Sequence, residues 1–373
     1  MSTGLTKNDS FSVKGIGILM MLFHHLYAYI DYFKKFDVSF APFSQDSIID
    51  IALFFKICVS IFAFITGYGL LKSIANTQIN RQDVTKWSLT RLVKTLSGFW
   101  LVYVLAFIVS LLIDGRPLYI YFDSSRAKGV LYVLLDFLGL ANFFDTPTLN
   151  STWWYMSAAI VFILIIPLIY MVSRKIGYLP VILVIAALPR LLNIGYPGGT
   201  NAYSFILPVV FGMIFAEYNV FEHISEKLPK NKFASWAVSF VVFGGLSIAS
   251  FVLFRVYPHH EGWEFNFGIV PVIIICFARF CIICIPVIKQ VLNFLGKYSM
   301  TMFLTHSFIK SIYFDDFIYS FNHFLLIYLI LIVVSLALAI VINFFSNIIK
   351  YNRLTNKLIE QMNKAIDKFD NNQ

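Results

Sequence analysis

The sequence predicts an all-α integral membrane protein, a bundle of about ten transmembrane helices with both termini in the cytoplasm. Three observations lead there. Hydrophobic residues make up 59% of the chain and charged residues only 13%, against roughly 25% charge in an ordinary soluble domain. Apolar runs of about 20 residues, the length a helix needs to cross a bilayer, recur along all 373 residues. Stretches such as 160–169 and 327–342 are almost continuously apolar, which excludes the alternating strands of a transmembrane barrel.

Residues 1–12 are expected to form a short polar N-terminus in the cytoplasm. The first span, 13–33, has no small-residue cleavage site and reads as a retained anchor rather than a removed signal peptide. Further spans are expected at 49–75, 91–113, 151–172, 178–193, 203–219, 234–254, 265–288, 298–317 and 324–346, giving a membrane domain over 13–346. Between the third and fourth, residues 129–144 are apolar but short and carry Asp136, so a re-entrant or interfacial helix is expected there. In the tail, 347–373, Leu354, Leu358, Ile359, Met362, Ile366 and Phe369 recur at helical spacing among charges. That amphipathic segment is expected on the inner membrane surface. No internal repeat or soluble second domain is evident.

A net charge of +9 in a soluble chain would raise nucleic acid as a partner. Here the excess has another cause. With the termini inside, roughly two-thirds of the 29 Lys and Arg fall on the cytoplasmic side, as the positive-inside rule requires, facing anionic lipid headgroups. Cys58, Cys276, Cys281 and Cys284 all fall within spans, so no disulfide framework or zinc ribbon is expected. His24, His25 and His306 do not suggest zinc either, because adjacent helical residues point about 100° apart and no carboxylate lies nearby in sequence. His259 and His260 follow Pro258 in an outer loop, where solvent suffices to explain them.

Ionisable residues within spans are functional candidates because the bilayer makes them expensive. The first span has the densest set. Lys14 and His25 are separated so that they lie about 20° from sharing a helical face and about 16 Å apart along the axis, while His24 points about 80° away. This places a cation at the cytoplasmic rim and an imidazole at mid-membrane. His306 lies at a comparable depth in the ninth span; it would orient His25, bind acceptor, stabilise an oxyanion, or simply bond a backbone carbonyl. Lys56 and Arg279 are full charges inside spans, the first toward the outer half and the second toward the inner half.

The Lys14 to His25 spacing resembles the acyltransferase 3 family, whose first span carries a basic residue, ten residues and then His. Further resemblances follow in family order. Ile61-Phe62-Ala63-Phe64-Ile65-Thr66-Gly67-Tyr68 looks like the F-x-x-S-G-[YF] element, and Thr90-Arg91-Leu92-Val93-Lys94 like the basic R-x-x-[RK] segment. Ser151-Thr152-Trp153-Trp154-Tyr155-Met156-Ser157 with Pro167 is similar to W-[FY]-[LM]-S…P. Phe211-Gly212-Met213 and Leu295-Gly296-Lys297-Tyr298-Ser299 leading to Leu304-Thr305-His306 complete the set. The likeness covers about residues 10–345. Lys14 stands where Arg is more usual and Thr66 where Ser is, and Lys offers a point charge in place of a bidentate fork.

The resemblance implies transfer of an acyl group, usually acetyl from acetyl-CoA, to a hydroxyl of a surface glycan. Taking that hydroxyl's proton suits a histidine near neutral pH, and His25 is the expected base or transient acyl carrier. Lys14, Arg91 and Lys94 are expected to hold the CoA phosphates, with Arg279 also on the donor side, and Lys56 on the acceptor side. For Arg91 and Lys94, plain positive-inside charge is an equal reading. Trp153 and Trp154 would stack a sugar ring or belong to an interfacial aromatic belt. The SGNH-type esterase domain that some members add is not in the sequence, so the membrane domain or a partner would complete acceptor modification. The expected setting is the bacterial cytoplasmic membrane, with acyl-CoA as co-substrate, a glycan or lipid-linked glycan as acceptor, and no permanently bound cofactor or metal. The alternative from another class is a transporter or flippase for a lipid-linked glycan or small metabolite.

Overall fold

The computed structural model describes residues 4–78, 80–123, 125–192, 199–257 and 264–370. His259 and His260 lie outside them. The described chain is helical apart from turns and one isolated parallel bridge between Ser39 and His323. In chain order the helices are α1 (Lys7–Tyr27), α2 (Gln45–Phe54), α3 (Cys58–Ile74), α4 (Arg81–Ile113), α5 (Arg116–Tyr121) and α6 (Arg126–Phe137). There follow α7 (Trp154–Ile176), α8 (Tyr178–Leu191), α9 (Ile206–Glu217), α10 (Val220–Lys227), α11 (Lys232–Ser239) and α12 (Gly245–Val256). The last are α13 (Val270–Phe277), α14 (Pro286–Ser307), α15 (Asp315–Tyr319), α16 (Phe324–Ile348) and α17 (Tyr351–Asp370).

The described part of each of the ten expected segments contains helix, but boundaries and apolarity differ from expectation. Six stretches are long and apolar enough to cross a membrane: Gln45–Ile74, Arg81–Ile113, Ser151–Ile176, Lys232–Val256, Glu264–Ile282 and Phe324–Ile348. A seventh arises if α9 and α10, bent by 64°, are taken together. α1, with 21 residues, and α14, with 22, are long enough to span but less apolar. They pack against each other, and polar residues toward their C-terminal ends, His24, Ser299, Thr305, His306 and Ser307, are buried in protein.

α1 begins before the expected span. Thr6 caps the helix by accepting from Asp9 N at 3.1 Å while Asp9 accepts from Thr6 N at 3.0 Å, a reciprocal box that satisfies two orphan donors. Residues 7–12 are therefore the first turns of α1. A second difference concerns 289–297, expected as a loop. Pro286 opens α14, where its missing N–H is harmless, and the helix runs on without a break to Ser307, then as a wider π-helical turn over Phe308–Tyr313. Lys289 in that stretch pairs with the buried Asp9 at 2.6 Å, tying the feet of α14 and α1 together.

What brings α1 and α14 together is glycine. A methyl group built on Gly15 would fall on the backbone carbonyl of Leu292, and one built on Gly296 on that of Phe11. Gly67 and Gly212 do the same for α3 and α9, facing the carbonyls of Val209 and Phe64. Lipid offers no hydrophobic drive between helices, so close backbone packing through small residues is a main source of association.

α4, with 33 residues, is about 50 Å long, longer than a hydrocarbon core of roughly 30 Å. Its first turns project beyond and meet the tail helix α17. Gln82 Nε2 donates to Asp367 Oδ1 at 2.7 Å, Lys86 pairs with the same carboxylate, and Tyr351 OH donates to Ser97 O at 2.9 Å. Thus the amphipathic tail docks on α4 along one side, while Leu354, Leu358 and Phe369 stay exposed.

Gly296→Leu is expected to lower the thermal stability of the detergent-purified protein by at least the roughly 1–3 kcal/mol of an overpacked core. Gly98→Ala, at a site with nothing within 4 Å, is expected to leave it unchanged. Equal melting of the two variants by scanning fluorimetry would refute the close-crossing account.

Candidate active site

The last turn of α1 carries His24 and His25, and its orphan carbonyls are capped by side chains from further along the chain. Lys310 Nζ donates to His25 O at 2.8 Å and Tyr319 OH to Leu26 O at 3.2 Å. A cation at a helix C-terminus also complements the helix dipole.

Three imidazoles meet here. His25 lies 4.8 Å from His306 and 5.3 Å from His24, ring centre to ring centre. His24 Nδ1 is 2.7 Å from Ala52 O, and His306 Nδ1 is 2.7 Å from Phe303 O. A carbonyl only accepts, so in both rings Nδ1 carries the hydrogen. His306 Nε2 is then an acceptor, 3.3 Å from Ser307 Oγ, which reaches Thr152 Oγ1 at 3.3 Å. The His25 ring differs. Among the described residues no group hydrogen-bonds either of its nitrogens.

His25 forms part of the wall of a cavity of about 610 Å³, within the range of small-molecule sites. The cavity lies at the C-terminal end of α1 and is roofed by the segment between α4 and α7. Its lining is rich in hydroxyl and amide groups, among them Asn150, Thr152, Ser307 and Ser311, with Lys310 beside His25. Lys310 is 6% exposed and stands 4.0 Å from the centre of the Tyr32 ring.

Asp136, on α6, holds the roof in place. Its carboxylate accepts from Tyr121 OH, from Thr148 Oγ1 at 2.9 Å and from Leu149 N at 2.8 Å. Burial pushes its pKa up to about 6, with the three donors pulling the other way. α6 is short and is none of the spanning stretches, in keeping with the interfacial helix expected at 129–144.

Of the residues expected from sequence, the structure brings His25 and His306 into contact and puts Trp153 in the cavity wall. The Trp153 ring itself is packed against Phe99, Tyr103 and Phe308, with Nε1 donating to Leu304 O at 2.9 Å. It braces α7 against the turn of α14 that holds His306. Lys56 lies in the tight turn Phe55–Ile57 joining α2 to α3 and is not part of the cavity lining. Lys14, Arg91, Lys94 and Arg279 are also apart from the cavity. Lys14 Nζ is 5.9 Å from the Phe11 ring centre, and the Arg91 guanidinium donates to Ser73 Oγ, which also takes the Trp87 indole N–H at 2.9 Å. Lys94 is exposed one turn further along α4, and Arg279 stacks 5.5 Å from the Phe280 ring centre.

Lys310 is a site residue that sequence reasoning missed. The signal was present: Lys310 falls inside the expected ninth span, one helical turn after His306, and a charge at that spacing shares its face. Arg116 and Asn150, also in the wall, carry no comparable signal.

The fold is that of a polytopic helical membrane protein with a polar cavity beside the C-terminal end of α1. The chain belongs to the acyltransferase 3 family, whose profile, an acyltransferase domain, matches residues 12–344, and it is a membrane acyltransferase. No curated protein and no solved structure matches the chain.

Because the folded pKa of Asp136 lies above its unfolded value, folding favours the protonated acid. Its stabilising contribution is full below about pH 4 and lost as pH rises through about 6. Wild-type protein should therefore lose more thermal stability between about pH 4 and pH 7 than Asp136→Asn does. Parallel melting curves against pH would contradict this.

Proposed function

We propose that the protein is an O-acetyltransferase that moves acetyl from acetyl-CoA to a hydroxyl of a cell-surface or exported polysaccharide, in a bacterial cytoplasmic membrane with both chain termini inside. One observation carries this reading most. Of three neighbouring imidazoles, two are tied to backbone carbonyls and only His25, beside the polar cavity, keeps both nitrogens free for a substrate.

As a base, His25 takes the acceptor hydroxyl proton while that oxygen attacks the thioester carbonyl; the C–S bond breaks, and the thiolate of CoA leaves and recovers the proton. As a carrier, a His25 nitrogen attacks the thioester first, the thiol departs, and the hydroxyl then takes the acyl group from the imidazole. In either role His306, with Nδ1–H bound to Phe303 O, presents an accepting Nε2 and suits orienting or proton-sharing with His25 better than donating to an oxyanion. Lys310 is the cation better placed for that task.

On the donor side, Lys14 lies about 16 Å down α1 from His25, a span on the scale of the pantetheine arm. Lys14, Arg91, Lys94 and Arg279 are proposed to hold the CoA phosphates. On the acceptor side, the hydroxyl and amide lining suits a sugar. Trp153 contributes by fixing the wall, and Lys56 by its charge near the α2–α3 turn.

Base-labile acetate on surface glycans, compared at matched membrane levels of protein, tests the reading. His25→Ala should abolish it and His24→Ala should reduce it less, since His24 faces α2. Normal ester with His25→Ala would sink the assignment. For the donor, Lys14→Ala should mainly raise the KM for acetyl-CoA while Lys14→Arg keeps activity; an unchanged KM in the alanine variant would remove Lys14 from that site.

A further inference from the structure

The cavity is built for more than a neutral sugar. Two cations, Lys310 and Arg116, belong to its wall, and neither forms an ion pair among the described residues. Lys310 is held by a neutral carbonyl and an aromatic face. Asp315, the acid whose field acts on it, is itself engaged by Lys35 at 2.6 Å. The Arg116 guanidinium has one long contact, from Nη1 to Tyr119 OH at 3.4 Å, and its Nε is buried without a hydrogen-bond partner.

Two carboxylates also belong to the wall, and neither neutralises these cations. Asp136 is saturated by three donors, and Asp145 is exposed. A third feature points the same way. Asn150 is 2% exposed, and its Oδ1 accepts from Thr152 N at 3.1 Å and Thr152 Oγ1 at 2.9 Å, which fixes the amide orientation. Its Nδ2 is then a buried donor with no partner. Among the described wall residues, every buried side-chain polar atom left unsatisfied is thus an N–H donor.

A buried donor without an acceptor loses the hydrogen bond it makes in water, and a buried cation without a counter-ion is costlier still. Such groups are compensated when a ligand brings negative oxygen. The geometry points to an anionic acceptor: a sugar bearing a carboxylate or phosphate close to the hydroxyl that is esterified, its oxyanion held by Arg116 and Lys310. The planar fork of Arg116 suits either group. This rests on the acyltransferase reading for the word acceptor, but the binding itself is independent of turnover.

The test is binding to the purified full-length protein in lipid nanodiscs, with three probes that differ only at C6: methyl β-D-glucoside, methyl β-D-glucuronide and methyl β-D-glucoside 6-phosphate. At least one charged probe should bind about tenfold or more tightly than the neutral one, the ratio expected for one charge-assisted hydrogen bond. The preference should shrink as salt is raised. Arg116→Gln and Lys310→Met should each remove most of it, while His25→Ala keeps it. Preference for the glucuronide alone would identify a carboxylate ligand, and for the 6-phosphate alone a phosphate ligand. Equal binding of charged and neutral probes, no binding of any, or a preference that survives in Arg116→Gln, would overturn the proposal. Lys310 also caps α1, so Lys310→Arg serves as its folded control and should retain the preference. Loss of charged-sugar binding alongside intact His25-dependent ester formation would discard this inference alone; the reverse result would discard the acetyltransferase reading alone.

Discussion

The site depends on one backbone contact, the crossing of α1 and α14 at Gly15 and Gly296. The two helices run in the same direction from that point. His25 follows Gly15 by ten residues, and His306 follows Gly296 by ten (25 − 15 and 306 − 296). Equal counts on two parallel helices give an equal rise of about 15 Å, so the imidazoles arrive at the same height and meet with ring centres 4.8 Å apart. Any side chain at either glycine would push the helices apart at the crossing, and the divergence would be carried up to the rings.

The same contact explains how a bilayer tolerates the site. Charged and imidazole groups are expensive in hydrocarbon, and the chain concentrates them on α1 and α14, which the more apolar helices surround. α16, among the most uniformly apolar elements, presents most of its length outward, with Leu329, Val333, Val341 and Phe344 exposed. α12 does likewise with Ile248, Val252 and Val256. Polarity and burial are therefore inverted relative to a water-soluble bundle. The polar groups near the C-terminal ends of α1 and α14 are buried because there backbone carbonyls, hydroxyls and ring faces satisfy them.

That inversion sets what was legible in the sequence. Long apolar segments announce themselves, so α4, α7 and α16 were evident, and so was the Lys14 to His25 relation, which depends only on helical geometry within one element. The helical stretch 289–297 was hidden because its polar residues resemble a loop; Lys289 and Asn293 face Asp9 and the foot of α1, while Gln290 and Lys297 are exposed. The cavity was hidden for a different reason. Arg116, Asp136, Asn150 and Lys310 come from four separate stretches of chain, and no spacing rule relates them. Lys310 alone left a trace, as a charge one turn from His306. The place of Trp153 at a helix end suits a sugar platform or an aromatic belt; its N–H to Leu304 O and its packing add the part of a brace, which no spacing rule signals.

Hydrogen bonding then distinguishes the three imidazoles, where proximity alone does not. The rings of His24 and His306 lie 5.3 and 4.8 Å from that of His25, centre to centre, and by residue type the three are equivalent. The carbonyls of Ala52 and Phe303 remove that equivalence by fixing Nδ1–H on the outer two rings. A ring so fixed can still accept at Nε2, but it turns over or changes tautomer only by breaking a buried hydrogen bond, at about 1–3 kcal/mol. His25 pays no such penalty on either nitrogen. Its constraint falls on the backbone instead, through Lys310 on its own carbonyl, which holds the residue in position while leaving the ring chemically uncommitted. Lys310 thus joins the two halves of the site: it fixes where the imidazole stands and supplies positive charge to the cavity that the imidazole faces.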